Sequence, residues 1–110
     1  MALNSFDCIG NFVSDPTYFD GENPRVLFRL AVDRNGKPVE GKKEADFLDF
    51  IAWRGTAEYI AKYCHKGDLI AVQNASARTH DFVTKDGTKF QRTEFQVESI
   101  DILRRAKPKE

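Results

Sequence analysis

The sequence predicts a small, mostly β domain with one α-helix. Several stretches of the 110-residue chain alternate apolar and polar residues, the two-residue period of a strand with one buried face. One stretch, residues 56–66, instead has the three- and four-residue spacing of an amphipathic helix. With 41% hydrophobic residues, a chain of this length has room for one core. We therefore expect one domain over residues 1–105, followed by a short basic tail at 106–110.

Two strands are predicted in the first third of the chain. Residues 6–13 alternate and end at a Ser-Asp-Pro turn. A second turn cluster at residues 20–24 precedes clear alternation over residues 26–33. Residues 35–44 are rich in glycine and charge, which favours a hairpin loop between the second and third strands.

Residues 45–54 predict the third strand, and aromatic side chains fall on both of its faces. We expect the face of Phe50 to fill the core. The opposite face carries Phe47 and Trp53 with Asp49 between them, so a second buried layer or a ligand must explain these two rings. The inward face consists of Leu48, Phe50 and Ala52.

The predicted helix has an apolar stripe and identifiable ends. Thr56 is a favourable N-cap residue, and Gly67 follows the last turn as a stop. His65 lies at the basic end of the helix, where the helix dipole explains it without a catalytic role. The stripe consists of Ala57, Ile60, Ala61 and Cys64.

Two long strands follow the helix. Residues 69–83 alternate strictly and predict the fourth strand. This alternation places the side chains near the C-terminal end of the strand on the same face as Ile70 and Val72. An Asp-Gly hairpin turn then leads into a strand over residues 90–103. Its alternation shifts by one residue, so we expect a β-bulge near Glu98 and Ser99. The side chains at the far end of the fourth strand are Arg78, His80 and Phe82.

Three strands, one helix and two strands is the element order of the five-stranded OB-fold barrel, in which the helix lies between strands three and four. Other small α+β domains share this order, so it favours the OB fold without excluding them.

Aromatic and basic residues interleave on the strands and hairpin that an OB barrel uses to bind oligonucleotides. An exposed aromatic ring stacks on any base, and Lys or Arg neutralises phosphates. Burial in the core is an equally good explanation for Trp53 and Phe82 from alternation alone. The candidate binding residues are Phe47, Trp53, Phe82, Arg78, His80, Lys85, Lys89 and Arg92.

The sequence favours neither an enzyme nor a cofactor. His80 and Asp81 are neighbours that point to opposite faces of a strand, and no phosphate-binding glycine loop or nucleophile elbow is present. The two cysteines do not form a disulfide framework, and no Cys and His set has metal-ligand spacing. We expect a cytoplasmic protein, because no membrane span or signal peptide is evident.

The sequence resembles the bacterial and bacteriophage single-stranded DNA-binding proteins over nearly its whole length. The resemblance implies an OB fold that assembles as a homotetramer, or a dimer, and binds single-stranded DNA without sequence preference in replication, recombination or repair. It also implies no enzymatic activity and no membrane partner. The matching segments are Ile9-Gly10-Asn11, Asp15-Pro16, Phe28-Arg29-Leu30-Ala31-Val32, Ala45-Asp46-Phe47, Ala52-Trp53-Arg54, Ala57-Glu58, Ala61-Lys62-Tyr63, Lys66-Gly67, Arg78-Thr79, Asp86-Gly87 and Thr93-Glu94.

The resemblance also assigns roles to particular residues. It places base-stacking rings at Phe47, Trp53 and Phe82. Three features depart from the family pattern: residues 35–44 hold no aromatic, Asp49 stands where some members have a basic residue, and no acidic, Phe-ended tail follows Glu110. We expect either that such a tail has been removed from the given sequence or that this is a short form that does not recruit partners through it. The implied phosphate contacts are Arg78, Lys42, Lys43, Lys85, Lys89 and Arg92.

A protein-interaction module of the OB type is the alternative, for example an accessory subunit of a replication complex. The chain has 17 basic and 17 acidic residues, so its net charge of zero provides no general attraction for a polyanion. Any affinity for DNA must come from local placement of charge.

Overall fold

The computed structural model describes residues 3–35 and 44–106 of the chain. This part folds into seven β-strands and one helix. In chain order the elements are β1 (Phe6–Phe12), β2 (Thr17–Phe19), β3 (Arg25–Asp33), β4 (Ala45–Trp53), α1 (Arg54–Tyr63), β5 (Leu69–Val83), β6 (Lys89–Val97) and β7 (Ser99–Arg104).

The strands form one sheet that closes on itself. Its order is β1-β3-β4-β6-β5-β7, and β1 also pairs with β5, which joins the two sides of the sheet into a barrel. All neighbouring strands are antiparallel except β4 and β6, which pair in parallel. The helix lies between β4 and β5 in the chain, so the predicted OB-fold order is confirmed.

Aromatic rings fill the barrel interior. Phe28 and Phe50 are cross-strand partners on β3 and β4, and their rings stack with centroids 5.2 Å apart. Phe6 packs on Phe95 at 4.2 Å, and Leu30 is fully buried. The prediction that the Phe50 face of β4 points inward is confirmed, since Phe50 and Ala52 are buried and Leu48 packs against the core.

The helix begins three residues before the predicted start. Trp53 is the N-cap residue and makes no side-chain cap hydrogen bond. The expected N-cap, Thr56, lies inside the helix and donates from Oγ1 to the carbonyl oxygen of Glu98 at 2.8 Å. The Arg54 N–H donates to the Pro24 carbonyl at 2.7 Å, so a tertiary contact stabilises the N-terminus of the helix. The prediction of Thr56 as the cap was therefore wrong.

The last predicted strand is interrupted where its alternation shifts. β6 ends at Val97 and β7 begins at Ser99, so Glu98 is the break between them. Val97 is buried, and Ile100 and Ile102 pack against the core. The expected change in alternation near Glu98 and Ser99 is confirmed, but it is not a β-bulge. Gln96 aligns with Ser76 and Ser99 with Gln73, so no extra residue is inserted between them.

Asn74 produces a second shift, inside β5, that alternation did not predict. Asn74 has a φ of 59°, and its N–H donates to Asp7 Oδ1 at 2.8 Å. Val72 is buried before it and Ala75 is buried directly after it, so two inward residues stand three positions apart rather than two. The side chains that follow at Arg78, His80 and Phe82 therefore lie on the face opposite Ile70 and Val72. The expectation that they share a face was wrong.

The short strand β2 was also not predicted. Thr17–Phe19 is flanked by turn residues and has too few residues to show a period, but it pairs with β3 along its length. No helix in the described ranges is long and apolar enough to cross a membrane.

Candidate nucleic-acid interface

The outward faces of β4, β5 and β6 form one continuous surface. The ladder aligns Ile51 of β4 with Gln96 of β6, and Gln96 with Ser76 of β5, so these three side chains share the outward face. Because alternate residues of each strand keep that face, Phe47 and Trp53 of β4 lie on the same side of the sheet as Phe82 of β5. The displaced alternation at Asn74 is what brings Phe82 to this side.

The three predicted stacking residues are exposed. Phe47 is 61% exposed, Trp53 39% and Phe82 40%, so none of these rings belongs to the core. Ile51, between Asp49 and Trp53, is only 7% exposed and lies opposite Leu27 on β3, which gives this part of the surface an apolar floor. The structure thus places the rings where bases could reach them, while their role in binding stays a prediction.

Asp49 does not present a lone carboxylate. Arg29 lies directly opposite it on β3, and Arg29 Nε donates to Asp49 Oδ1 at 2.8 Å. The hydrogen bond and the charge of Asp49 raise the pKa of the Arg29 guanidinium. A lone carboxylate at this position would repel phosphate. The charge of Arg29 offsets that of Asp49, so this repulsion is reduced by a partner that alternation alone does not identify.

A groove of about 230 Å³ lies beside this ion pair. Arg29 and Asp49 line one side, and Arg92 and Glu94 of β6 line the other. The groove therefore lies between residues of β3 and β4 and residues of β6.

The β5–β6 hairpin carries a second aromatic pair. Phe82 and Phe90 stack with centroids 5.3 Å apart and ring planes 18° apart. The Arg92 guanidinium carbon lies 5.8 Å from the centroid of the Phe82 ring. Phe90 is 44% exposed and was not among the predicted site residues. The hairpin register aligns Phe82 with Phe90 symmetrically about Asp86, so counting outward from the Asp-Gly turn could have found it.

The predicted basic contacts differ in their availability. His80 Nε2 lies 2.6 Å from Glu94 Oε1, so its polar tip already has a carboxylate partner. Arg78 is exposed and lies opposite Glu94 in the ladder. In the described ranges no carboxylate pairs with Arg92, which leaves its donors available.

Two further lysines lie at the hairpin turn. Lys85 lies inside the turn and Lys89 begins β6. Gly87 has a φ of 88°, and Asp86 accepts hydrogen bonds from the Thr84 hydroxyl and the Thr88 N–H, which lower its pKa. The turn is thus held by its own polar groups, with both lysines exposed. The predicted contacts Lys42 and Lys43 lie outside the described residues, as do residues 107–110 of the predicted tail.

The buried acidic group and the two thiols of the described chain do not form a catalytic or metal-binding cluster. Asp68 is the buried charged residue there, and it accepts hydrogen bonds from the backbone N–H groups of His65 and Ala106. Cys8 and Cys64 are free thiols. In the part of the chain that is described, no group of three His, Cys, Asp or Glu side chains could hold a metal ion.

The closed barrel, the helix between β4 and β5 and the outward rings define an OB-fold protein with a surface suited to single-stranded nucleic acid. The model of the single-strand binding protein family matches residues 3–103. The chain belongs to that family.

Named relatives agree with this assignment. Single-stranded DNA-binding protein 1 of Streptococcus pyogenes is 34% identical over 92% of this chain and 78% of its own length. Single-stranded DNA-binding protein 3 of Clostridium acetobutylicum is 36% identical over 92% and 71%. Single-stranded DNA-binding protein A of Bacillus subtilis is 32% identical over 92% of this chain, which spans 59% of that relative.

A solved structure described as a Plasmodium falciparum SSB complex with ssDNA has the same fold. It superposes with a TM-score of 0.81 at 22% sequence identity, over 94% of this chain and 97% of that one. At this identity the likeness concerns the fold alone.

Proposed function

We propose that the protein binds and protects single-stranded DNA without sequence preference during replication, recombination or repair. The observation that carries the proposal is the set of exposed rings on one outward face, Phe47, Trp53 and Phe82. Arg92 lies beside the last of them, and no carboxylate within residues 3–35 and 44–106 pairs with it. Relatives named as single-stranded DNA-binding proteins support the same function.

In this proposal the aromatic rings bind the bases and the basic side chains bind the phosphates. A base stacked on an exposed ring contributes about 1 to 3 kcal/mol and does so for any base, which explains binding without sequence choice. Phosphates are neutralised by Arg92, Arg78, Lys85 and Lys89 of the hairpin, and by Lys42 and Lys43 before β4. His80 contributes less, because it already contacts Glu94.

We further propose a homotetramer, or a dimer, located in the cytoplasm with the nucleoid or in a host cytoplasm. Neither an enzymatic reaction nor a cofactor is part of this proposal. The measurement is mass in solution with and without oligo-dT, which reports assembly and binding together.

Titration of tryptophan fluorescence with oligo-dT tests the binding proposal. Trp53 is the only tryptophan in the chain, so the signal reports one platform. We expect quenching at low salt, and much weaker quenching with duplex DNA of the same length. A folded protein that shows no quenching and no change in the anisotropy of labelled oligo-dT would contradict the proposal.

A protein-interaction module is the second candidate. Several arginines form ion pairs with carboxylates, such as Arg29 with Asp49 and Arg34 with Asp46, and are therefore less available to bind phosphates. This observation favours the second candidate. Salt distinguishes the two functions. On single strands the logarithm of the binding constant falls by about 0.7 per log unit of salt for each phosphate neutralised, whereas protein association need not follow that slope.

A further inference from the structure

The strand β2 adds a third outward ring beside Trp53. Phe19 of β2 is aligned with Arg25 of β3, and Arg25 is aligned with Trp53 of β4. Directly aligned residues of neighbouring strands point to the same face, so these three side chains form one row across the sheet. Phe19 is 39% exposed, the same fraction as Trp53.

Arg25 differs from the other arginines of β3 and its following loop. Arg29 is held by Asp49, and Arg34 is held by Glu44 and Asp46. Arg25 instead lies over the Phe19 ring, with its guanidinium carbon 4.6 Å from the centroid, and among the described residues no carboxylate pairs with it. A guanidinium resting on an aromatic face keeps its in-plane N–H groups for an anion.

Arg25 and Phe19 therefore resemble the arrangement at the hairpin. There, Arg92 lies over Phe82, also without a carboxylate partner in the described chain. Each end of the outward surface thus combines exposed rings with one arginine resting on a ring. Between them, Arg29 pairs with Asp49 and the His80 imidazole contacts Glu94, while Arg78 is exposed.

We propose that Phe19 and Arg25 form a further nucleotide subsite, in which Arg25 binds a phosphate and Phe19 stacks on the base that lies beyond Trp53. This inference rests on the proposed binding of single-stranded DNA. Strands in a sheet are about 4.8 Å apart, so the row carries the DNA path about 10 Å past β4. The path continues over β2 instead of ending at Trp53.

The experiment compares oligo-dT of increasing length, followed by the anisotropy of a label on the DNA, for the wild type, Phe19→Ala and Arg25→Gln. Short oligomers bind entirely to the rings of β4 and the hairpin, so all three proteins should bind them with the same affinity. Above the length that reaches β2, Phe19→Ala should weaken binding by about 5- to 150-fold. Arg25→Gln should lower the slope of log K against log salt by about 0.7, again for the long oligomers only.

Matched controls come from the same elements. Tyr18 is adjacent to Phe19, has a similar exposure of 37%, and points to the other face of β2, so Tyr18→Ala should leave the length dependence unchanged. Arg104→Gln removes an exposed arginine from β7, which pairs with β5 rather than with β2, β3 or β4, and should leave the salt slope unchanged.

Three results would overturn the subsite. If Phe19→Ala and Arg25→Gln bind every length like the wild type, the subsite is absent and the proposed function stands. If they lower the thermal midpoint without changing the length dependence, the pair only stabilises the β2–β3 hairpin. If the wild type binds no oligomer at all, the proposed function fails and the subsite fails with it.

Discussion

Phe82 and Phe90 stack across the β5–β6 hairpin, with ring centroids 5.3 Å apart. A base that stacks on the free face of either ring therefore extends a stack of two rings, which neither strand could provide alone. Stacked aromatic pairs contribute about 0.5 to 1.5 kcal/mol beyond the area they bury. The second ring thus holds the first in a fixed orientation as well as extending it.

Replacement of Phe90 should consequently impair DNA binding. We expect Phe90→Ala to weaken oligo-dT binding by about 1 to 3 kcal/mol, as for loss of a stacked base. In a double-mutant cycle with Phe82→Ala, the two losses should not add, because each ring supports the other. Anisotropy of labelled oligo-dT measures both. Val83→Ala is the control, since Val83 is exposed on the other face of the hairpin. Additive losses would contradict the shared platform.

Trp53 should be dispensable for folding and necessary for tight binding. We expect Trp53→Ala to weaken oligo-dT binding by about 1 to 3 kcal/mol with little change in thermal midpoint, because the ring is exposed. Phe50→Ala is the contrasting variant. It removes a buried ring and should cost about 3 to 5 kcal/mol of unfolding free energy. If Trp53→Ala collapses the thermal midpoint as Phe50→Ala does, Trp53 belongs to the core.

Asp49→Asn should tighten DNA binding by releasing Arg29. The exposed ion pair contributes less than about 1 kcal/mol to stability, so the variant should remain folded. The freed guanidinium can then neutralise a phosphate, which steepens the salt slope by about 0.7. The double variant Asp49→Asn with Arg29→Gln separates release of Arg29 from loss of repulsion. If it keeps the steeper slope, Arg29 is not responsible.

Stability should fall at alkaline pH through Cys64. Burial, and next the charge of Asp68, raise the pKa of the Cys64 thiol from 9.0 to about 11. The folded state therefore keeps this proton more tightly than the unfolded chain does. The resulting stabilisation is complete below about pH 9 and is lost as the pH rises toward 11. Urea midpoints at about pH 7 and about pH 10.5 should differ more for the wild type than for Cys64→Ala. Equal differences would contradict this contribution.

Because Asn74 has a positive φ, we expect this position to tolerate only some residue types. Asn74→Gly should change the unfolding free energy by less than about 1 kcal/mol, because glycine adopts this conformation freely. Asn74→Val should cost about 1 to 3 kcal/mol, since a β-branched residue is strained there. Urea unfolding provides the comparison. Equal costs for the two variants would show that the backbone conformation does not matter.

The sequence predicted the barrel well because burial in a strand has a strict period. The inward face of β4 and the break at Glu98 both followed from the spacing of apolar residues. β2 was missed because three residues between two turns show no period, and Phe19 was missed with it.

Contacts between strands explain the other differences. The helix start depends on a hydrogen bond from Arg54 to Pro24, and the neutralisation of Asp49 depends on Arg29 lying opposite. Neither partner is near in sequence. Around Asn74 the alternation of apolar and polar residues is weak, because small and polar residues there do not show which positions are buried. Asn74 is stabilised by Asp7 from another strand, which local alternation does not reveal.

The conformation at Asn74 has a consequence for how the hairpin can change in length. Because side chains alternate, one residue inserted or deleted between Asn74 and Arg78 would turn Arg78, His80 and Phe82 to the other side of the sheet. A two-residue insertion, matched on β6, would preserve their side and only lengthen the arm. The surface that carries the rings can therefore grow in steps of paired residues, while single-residue length changes in this segment would disconnect Phe82 from the face of Trp53.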